Sequence, residues 1–406
     1  MTIHHAISAL RVYTVSLGCP KNRVDTEKML GTLGSAYLPA SSAQAADVVL
    51  INTCGFIQPA VEESLETILS LADEIEDVNP RPLLVATGCL LARYGQELRE
   101  KLPEVDLWLS FQEQGTWDRR IQATWGTAKS LHTISPKVGE GHRKSLRRHL
   151  STAPGSAYLK INEGCRHHCS FCLIPQLRGP LVSVPLKDLV QEARALLAQG
   201  IREICIVAQD VSDYGRDLGY RHGLQALLEQ LASLSGLHWL RLMYLYPAGL
   251  TPELLGFLKQ LGAPFVPYFD IPFQHVHPDI LKRMGRPFQV DPEATIHRIR
   301  ESFPESCLRS TFITGFPGES PEHFQTLLRF LQTARLNHVG VFPFSPEEGT
   351  RAASYRPVVP EALREERRGR LLEIQAEISA SLLAETQDQE FDILIDRSDP
   401  EWPTLF

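Results

Sequence analysis

Short apolar segments alternate with helical patterns along nearly the whole chain. Strands joined through helices pair in parallel, and parallel sheets carry helices on their faces, so this rhythm leaves few folds open. In the first third it occurs three times. Val12–Leu17, Val48–Asn52 and Leu83–Thr87 read as strands, followed by helical patterns at Val24–Leu33, Pro59–Ile75 and Ala92–Lys101. From Ala157 it resumes, with strand candidates Tyr158–Ile161, Glu203–Ala208, Trp239–Leu245, Val266–Ile271, Leu308–Ile313 and Val339–Phe344. Helical patterns fill the gaps at Pro185–Gln199, Leu224–Ser233, Pro252–Leu261, Pro278–Met284, Pro292–Ser302 and Pro321–Ala334. Proline recurs in the first turn, where its missing N–H is no loss. The expected fold class is α/β: a parallel α/β domain, then a partial (β/α)6 barrel. Functional groups in such sheets gather at the carboxyl ends of the strands.

A chain of 406 residues exceeds one ordinary core. The expected domains are 1–125 and 154–386, with 126–153 as a linker rich in small, polar and basic residues. Pro360–Glu385 reads as a charged amphipathic helix, and 387–406 as a tail too short for its own core, with one strand at Phe391–Asp396. The composition, 43% apolar and 22% charged, is that of a soluble globular protein. No apolar run approaches the roughly 20 residues needed to span a bilayer. Arg11–Leu17 is short and alternating, unlike a signal peptide, so a cytoplasmic protein with no membrane association is expected. The net charge of −7 argues against a chain that coats itself in nucleic acid. One basic stretch (Arg143, Lys144, Arg147, Arg148, His149) reads as a solvated linker or as an electrostatic dock for RNA or a ribosomal partner.

The eight cysteines are unlike a disulfide framework in such a compartment. Cys205 lies in the apolar run Ile204–Ala208 and reads as a core thiol, and Cys307 receives no role. The other six carry chemistry. Cys165, Cys169 and Cys172 form C-x3-C-x2-C on a loop after a strand, in Glu163-Gly164-Cys165-Arg166-His167-His168-Cys169-Ser170-Phe171-Cys172. Three such thiolates can hold three irons of a four-iron, four-sulfur cluster and leave the fourth open, as catalysis requires. A structural zinc site with His167 or His168 as fourth ligand is the rival reading. Cys19, Cys54 and Cys89 each end one of the first three strand candidates, so they can converge although each is 35 residues from the next.

The C-x3-C-x2-C loop resembles that of the radical S-adenosylmethionine superfamily. The resemblance implies that S-adenosyl-L-methionine chelates the open iron and that one electron cleaves it to a 5′-deoxyadenosyl radical. With the second triad, the whole chain resembles the methylthiotransferases, which pair two four-iron, four-sulfur (4Fe-4S) clusters. Ser16-Leu17-Gly18-Cys19-Pro20-Lys21-Asn22-Arg23-Val24-Asp25, Ile51-Asn52-Thr53-Cys54-Gly55-Phe56-Ile57 through Glu63-Ser64, and Ile174-Pro175 with Arg178-Gly179 resemble the RimO-type branch. That branch methylthiolates an aspartate of small-subunit ribosomal protein S-12.

The family reading implies metal ligands Cys19, Cys54, Cys89, Cys165, Cys169 and Cys172. It implies one S-adenosyl-L-methionine that methylates sulfur at the auxiliary cluster and another whose radical takes hydrogen from the aspartate β-carbon. The two domains are then expected to face one another. Three further loops, containing Gln209, Gln274, and Gly315, Gly318 with Glu319, read as contacts to S-adenosyl-L-methionine or as plain strand-to-helix turns. Implied partners are ribosomal protein S-12, free or in the small subunit, a low-potential electron donor such as a flavodoxin or ferredoxin, and a sulfur source. The resemblance also implies a C-terminal β-barrel of the TRAM type, of which 387–406 is read as a truncated remnant. Alternatives are a tRNA methylthiotransferase acting on a modified adenosine and an iron–sulfur electron carrier.

Overall fold

The computed structural model describes residues 10–128 and 148–395. The chain divides into two compact units, Met1–Ser151 with Gln176–Arg178, and Thr152–Pro175 with Gly179–Phe406.

The first unit runs β1 (Leu10–Ser16), α1 (Pro20–Leu33), β2 (Tyr37–Pro39), β3 (Val48–Thr53), α2 (Gln58–Ile75), β4 (Leu83–Gly88), α3 (Cys89–Lys101), β5 (Leu107–Leu109) and α4 (Trp117–Ala128). Its sheet is parallel throughout, in the order β2-β1-β3-β4-β5. Every residue of β3 and β4 is buried, because successive side chains point to opposite faces and both faces are covered. Val49, Ile51, Leu84 and Ala86 meet Ile68, Ala72 and Ile75 of α2 and Leu90 and Leu98 of α3. Val48, Leu50, Leu83 and Val85 meet Met29 and Leu30 of α1 and Trp117 and Ile121 of α4. The indole N–H of the buried Trp117 donates to Met29 O at 2.7 Å, so its polar atom is satisfied.

The second unit runs β6 (Ser156–Lys160), β7 (Asn162–Glu163), α5 (Ile174–Arg178, whose last three residues belong to the first unit), β8 (Val182–Ser183), α6 (Leu186–Ala198), β9 (Glu203–Val207), α7 (Gly223–Ala232), β10 (Trp239–Leu242), α8 (Pro252–Leu261), β11 (Phe265–Asp270), α9 (Pro278–Met284), α10 (Pro292–Ser302), β12 (Cys307–Thr314), α11 (Pro321–Ala334), β13 (His338–Pro343) and α12 (Glu361–Glu385). Six parallel strands pair in chain order, β6-β9-β10-β11-β12-β13, and the described sheet is open between its first and last strands. This is the expected (β/α)6 arrangement. β7 and β8 form a small antiparallel pair beside it. In α12 only Arg367, Leu371, Ile374 and Gln375 are buried, a narrow stripe at helical spacing that lies on β13 and α11.

Several elements depart from the sequence reading. β2 and β5 are three-residue edge strands, too short to show a period. α4 (Trp117–Ala128), whose last three residues were expected in the linker, completes the core with Trp117 and Ile121. Arg148, read within a solvated basic stretch, has a side chain only 1% exposed and pairs with the buried Glu27, whose other oxygen accepts from Ser151 N and Oγ. Arg143, Lys144 and Arg147 lie outside the described residues. Phe391–Ile395, expected with Asp396 as a strand, pairs with no strand among the described residues, and Phe391, Ile393 and Ile395 are exposed; Asp396 lies outside the described residues.

Candidate functional site

In the first unit, the three cysteines stand where β1, β3 and β4 give way to helices. Cys19 caps α1 and Cys89 opens α3, which breaks at Gly95. Strand order brings them together. β1 and β3 are adjacent but lead to opposite faces, the switch point where parallel sheets open a crevice. Gly18 is needed there: a Cβ on it would lie 2.9 Å from Cys54 Cβ and 3.0 Å from its sulfur, and its φ is +82°. At Gly55 a Cβ would lie 2.9 Å from the Cys89 carbonyl oxygen.

A buried polar network holds the three strand ends in register. Asn22 Nδ2 donates to Leu17 O at 2.9 Å and to Thr53 O at 3.0 Å, spanning the loops of Cys19 and Cys54. Ser64 accepts from Cys54 N at 3.0 Å and donates to Cys54 O at 2.8 Å. Thr53 Oγ1 donates to Thr87 O at 2.6 Å, tying β3 to β4. Arg178 completes the cradle. Its guanidinium lies 3.3 Å from Asp25, donates to Asn22 Oδ1 and stacks on Phe111 at 4.6 Å. Burial pushes the Cys89 thiol up to about 11, and Arg178 opposes that push through its charge and a hydrogen bond. Cys54 is raised by burial as well.

In the second unit, Cys165, Cys169 and Cys172 sit on one loop after β7, pinned by its backbone. Cys165 N donates to Gly179 O at 3.2 Å, and Ser170 N to Met284 O at 2.8 Å. Gly164 admits no side chain, since a Cβ would lie 2.1 Å from Pro180 O. Backbone N–H groups of His167 and Ile174 point at the sulfurs of Cys165 and Cys172, each at 3.5 Å. Arg286 lies 3.8 Å from the Cys169 sulfur and stacks on Tyr246 at 4.3 Å. Burial raises Cys165 to about 11 and Cys172 to about 12.

His167, one of the two histidines of the zinc reading, faces away from the sulfurs. His167 is held 2.7 Å from Asp210 and stacked on Tyr246 at 3.7 Å, so its ring is committed elsewhere. Among the described residues, the groups with ligand atoms all within 4.8 Å of one another contain no cysteine. Sulfurs around one zinc ion would stand closer than that.

The loops read as contacts to S-adenosyl-L-methionine all follow strands of the six-stranded sheet. Gln209 and Gln274 are half-buried, and Gln274 has φ +73° and bridges by its backbone to Phe312. The Glu319 carboxylate is enclosed, accepting from Gly315 N at 3.0 Å and Arg367 at 2.6 Å, with His275 at 3.6 Å. It holds the loop from behind. Gly315 and Gly318 are glycine for protein-packing reasons. A Cβ on them would lie 2.0 Å from Arg364 and 3.0 Å from Arg283. Sequence reasoning gave no structural role to Asn22, Ser64, Arg178 or Arg286. The first three stand in the quoted family words, and Arg286 carried no signal.

Comparison with known proteins decides the family. The family described as "Uncharacterized protein family UPF0004" matches residues 11–110, and the Radical SAM superfamily matches residues 159–331. "Ribosomal protein uS12 methylthiotransferase RimO" of Oleidesulfovibrio alaskensis is 50% identical over 397 residues, covering 98% of this chain and 89% of that protein. The chain belongs to the RimO family. Its namesake from Lawsonia intracellularis is 44% identical over 98% of this chain and 88% of its own. Among solved structures, the radical S-adenosylmethionine methyltransferase TsrM from Kitasatospora setae, with cobalamin and a 4Fe-4S cluster bound, superposes with a TM-score of 0.58. That likeness covers 85% of this chain and 74% of TsrM at 16% identity, and speaks for the fold. The RimO family is a family of radical S-adenosylmethionine methylthiotransferases, and S-adenosyl-L-methionine and 4Fe-4S clusters are its cofactors.

Proposed function

We infer that this chain transfers a methylthio group to ribosomal protein uS12, at the β-carbon of an aspartate. The observation that carries this is the coexistence, in a chain of the RimO family, of two separate three-cysteine sites, each with a buried arginine beside it. Cys165, Cys169 and Cys172 hold the cluster that binds S-adenosyl-L-methionine, and Cys19, Cys54 and Cys89 hold the auxiliary one. Bound there, the clusters supply the electron that splits S-adenosyl-L-methionine into a radical and the site that presents sulfur, chemistry no protein side chain provides.

The remaining work falls to the chain's own residues. His167, Asp210 and Tyr246 lock the loop between Cys165 and Cys169, and Arg166 is fixed on Asp213 at 2.7 Å. Gln209, Gln274 and the backbone of Gly315 and Gly318 stand at the strand ends where S-adenosyl-L-methionine would lie. Glu319 and Arg367 stiffen the loop that carries both glycines. An electron must come from a low-potential donor such as a flavodoxin or ferredoxin, and sulfur from a separate source. No helix among the described residues is long and apolar enough to cross a membrane. We place the reaction in the cytoplasm, with the ribosomal substrate.

The test is anaerobic reconstitution of the full chain, followed by incubation with uS12, S-adenosyl-L-methionine, sulfide and reductant. Two clusters' worth of iron and a methylthio mass increment on one aspartate of uS12 are expected. An unmodified uS12 beside a modified tRNA would transfer the function to the RNA branch.

A further inference from the structure

We propose that Arg178 is a built-in counter-ion of the Cys19, Cys54 and Cys89 site and that it sets the reduction potential of the cluster held there. The proposal rests on the auxiliary-cluster reading. Its footing is geometric. The Arg178 side chain is 1% exposed, and a cation that deep is costly unless it is paired. Asp25, at 3.3 Å, supplies one carboxylate, the Asn22 oxygen accepts, and the Phe111 ring covers a face. Asn22 also bonds the Leu17 and Thr53 carbonyls, so the guanidinium is located by the same side chain that locates the loops of Cys19 and Cys54. A Cβ on Gly18 would lie 3.0 Å from the Cys54 sulfur and 3.6 Å from Asn22 Nδ2, so the side chain that holds the guanidinium adjoins a ligand sulfur; in the same sense, Arg178 opposes the burial that raises the Cys89 thiol.

A fixed cation in such a place has a definite redox effect. Reduction adds negative charge to a cluster, and a nearby positive charge in a low-dielectric site favours the reduced form. Hydrogen bonds to ligand sulfur act in the same direction. Removing the cation therefore lowers the midpoint potential. Removing Asp25, which partly offsets it, raises the potential. A structural role predicts something else: both changes break one ion pair, so both would loosen the site alike.

The measurement is a redox titration followed by electron paramagnetic resonance. It uses the full chain with Cys165, Cys169 and Cys172 replaced by Ala, so that one cluster is titrated. Arg178→Gln should shift the midpoint negative, Asp25→Asn should shift it positive, and Arg178→Lys should stay near the parent. Equal midpoints in all variants, or shifts of the same sign for Arg178→Gln and Asp25→Asn, would overturn the proposal. Should Arg178→Gln fail to retain iron, the sign of the Asp25→Asn shift decides, with Arg178→Lys as the loaded reference. A parent chain that takes up no iron at this site would instead overturn the auxiliary-cluster reading, and the proposal with it.

Discussion

The two cysteine triads are gathered by opposite routes. Cys165, Cys169 and Cys172 lie within eight residues of one another, on a loop whose backbone is pinned by Gly179, Met284 and Ala352. Cys19, Cys54 and Cys89 lie on three separate strand ends, and only the order β1-β3-β4 makes them neighbours. The local site depends on loop geometry; the dispersed one depends on the sheet and on Asn22, Ser64, Thr53 and Thr87 beneath it. Each still brings a buried guanidinium to its sulfurs, Arg178 in one and Arg286 in the other. Nearby positive charge is thus common to both, while the means of gathering thiols is not.

The largest contrast should come from the cysteines themselves. Cys169→Ala is expected to abolish both 5′-deoxyadenosine formation and methylthio transfer. Cys54→Ala should abolish transfer and leave 5′-deoxyadenosine formation standing, read by chromatography of the nucleoside and mass spectrometry of uS12. If Cys54→Ala also silences S-adenosyl-L-methionine cleavage, the two sites are not separable as described.

Backbone substitutions come next. Gly88→Ala places a Cβ 2.4 Å from Thr53 O at φ +108°, and Gly164→Ala places one 2.1 Å from Pro180 O at φ +66°. Each should cost roughly 2–4 kcal/mol in chemical denaturation of the apo chain. Gly88→Ala should depress iron uptake at the dispersed site alone, and Gly164→Ala at the loop site alone. Loss at both sites from either change would mean the units do not fold independently.

Arg367→Met should cost about 3 kcal/mol, because it strands the enclosed Glu319 carboxylate. Burial pushes Glu319 up, but His275, Gly315 N–H and Arg367 prevail and hold it below the usual carboxylate range. A lowered carboxylate contributes stability above its unfolded value, and that contribution is lost as pH falls through the folded one. The acid limb of the apo stability curve should therefore flatten in Arg367→Met. An unchanged limb would remove Glu319 from the account of loop stability.

The smallest effect is alkaline. Cys89, Cys165 and Cys172 ionise above the ordinary thiol value of 9.0 in the folded apo chain, because burial disfavours thiolate. The unfolded chain therefore releases these protons first, and apo stability should fall as pH rises from 9 toward 11–12. Replacing Cys165 and Cys172 with Ala should blunt the fall more than replacing Cys89, since two raised thiols are removed rather than one. Melting curves across that range provide the check, and equal slopes in all variants would assign the fall to other groups.

Much of this molecule was legible before its structure. Pro252–Leu261, Pro278–Met284, Pro292–Ser302 and Pro321–Ala334 are helices at the expected bounds, because proline and a capping residue mark their starts. The C-x3-C-x2-C loop was legible for the same reason: its chemistry is written within one turn of chain. The roles of Glu319, Gly315 and Gly318 were not. An acidic residue in a glycine-rich turn looks open to a ligand until Arg367, Arg364 and Arg283 arrive from distant segments and fill the space.

By itself, the order of residues determined the alternation of strands and helices, the two sets of thiols and the family to which the chain belongs. These depend on local period, local spacing and shared words. Only the tertiary structure decided that β1 lies between β2 and β3 and that Arg148 is buried against Glu27 rather than solvated. It alone placed Arg178 against Asn22, 156 residues away, and against Asp25. Pairing across such separations is settled by packing and charge compensation in three dimensions, for which one-dimensional spacing holds no record.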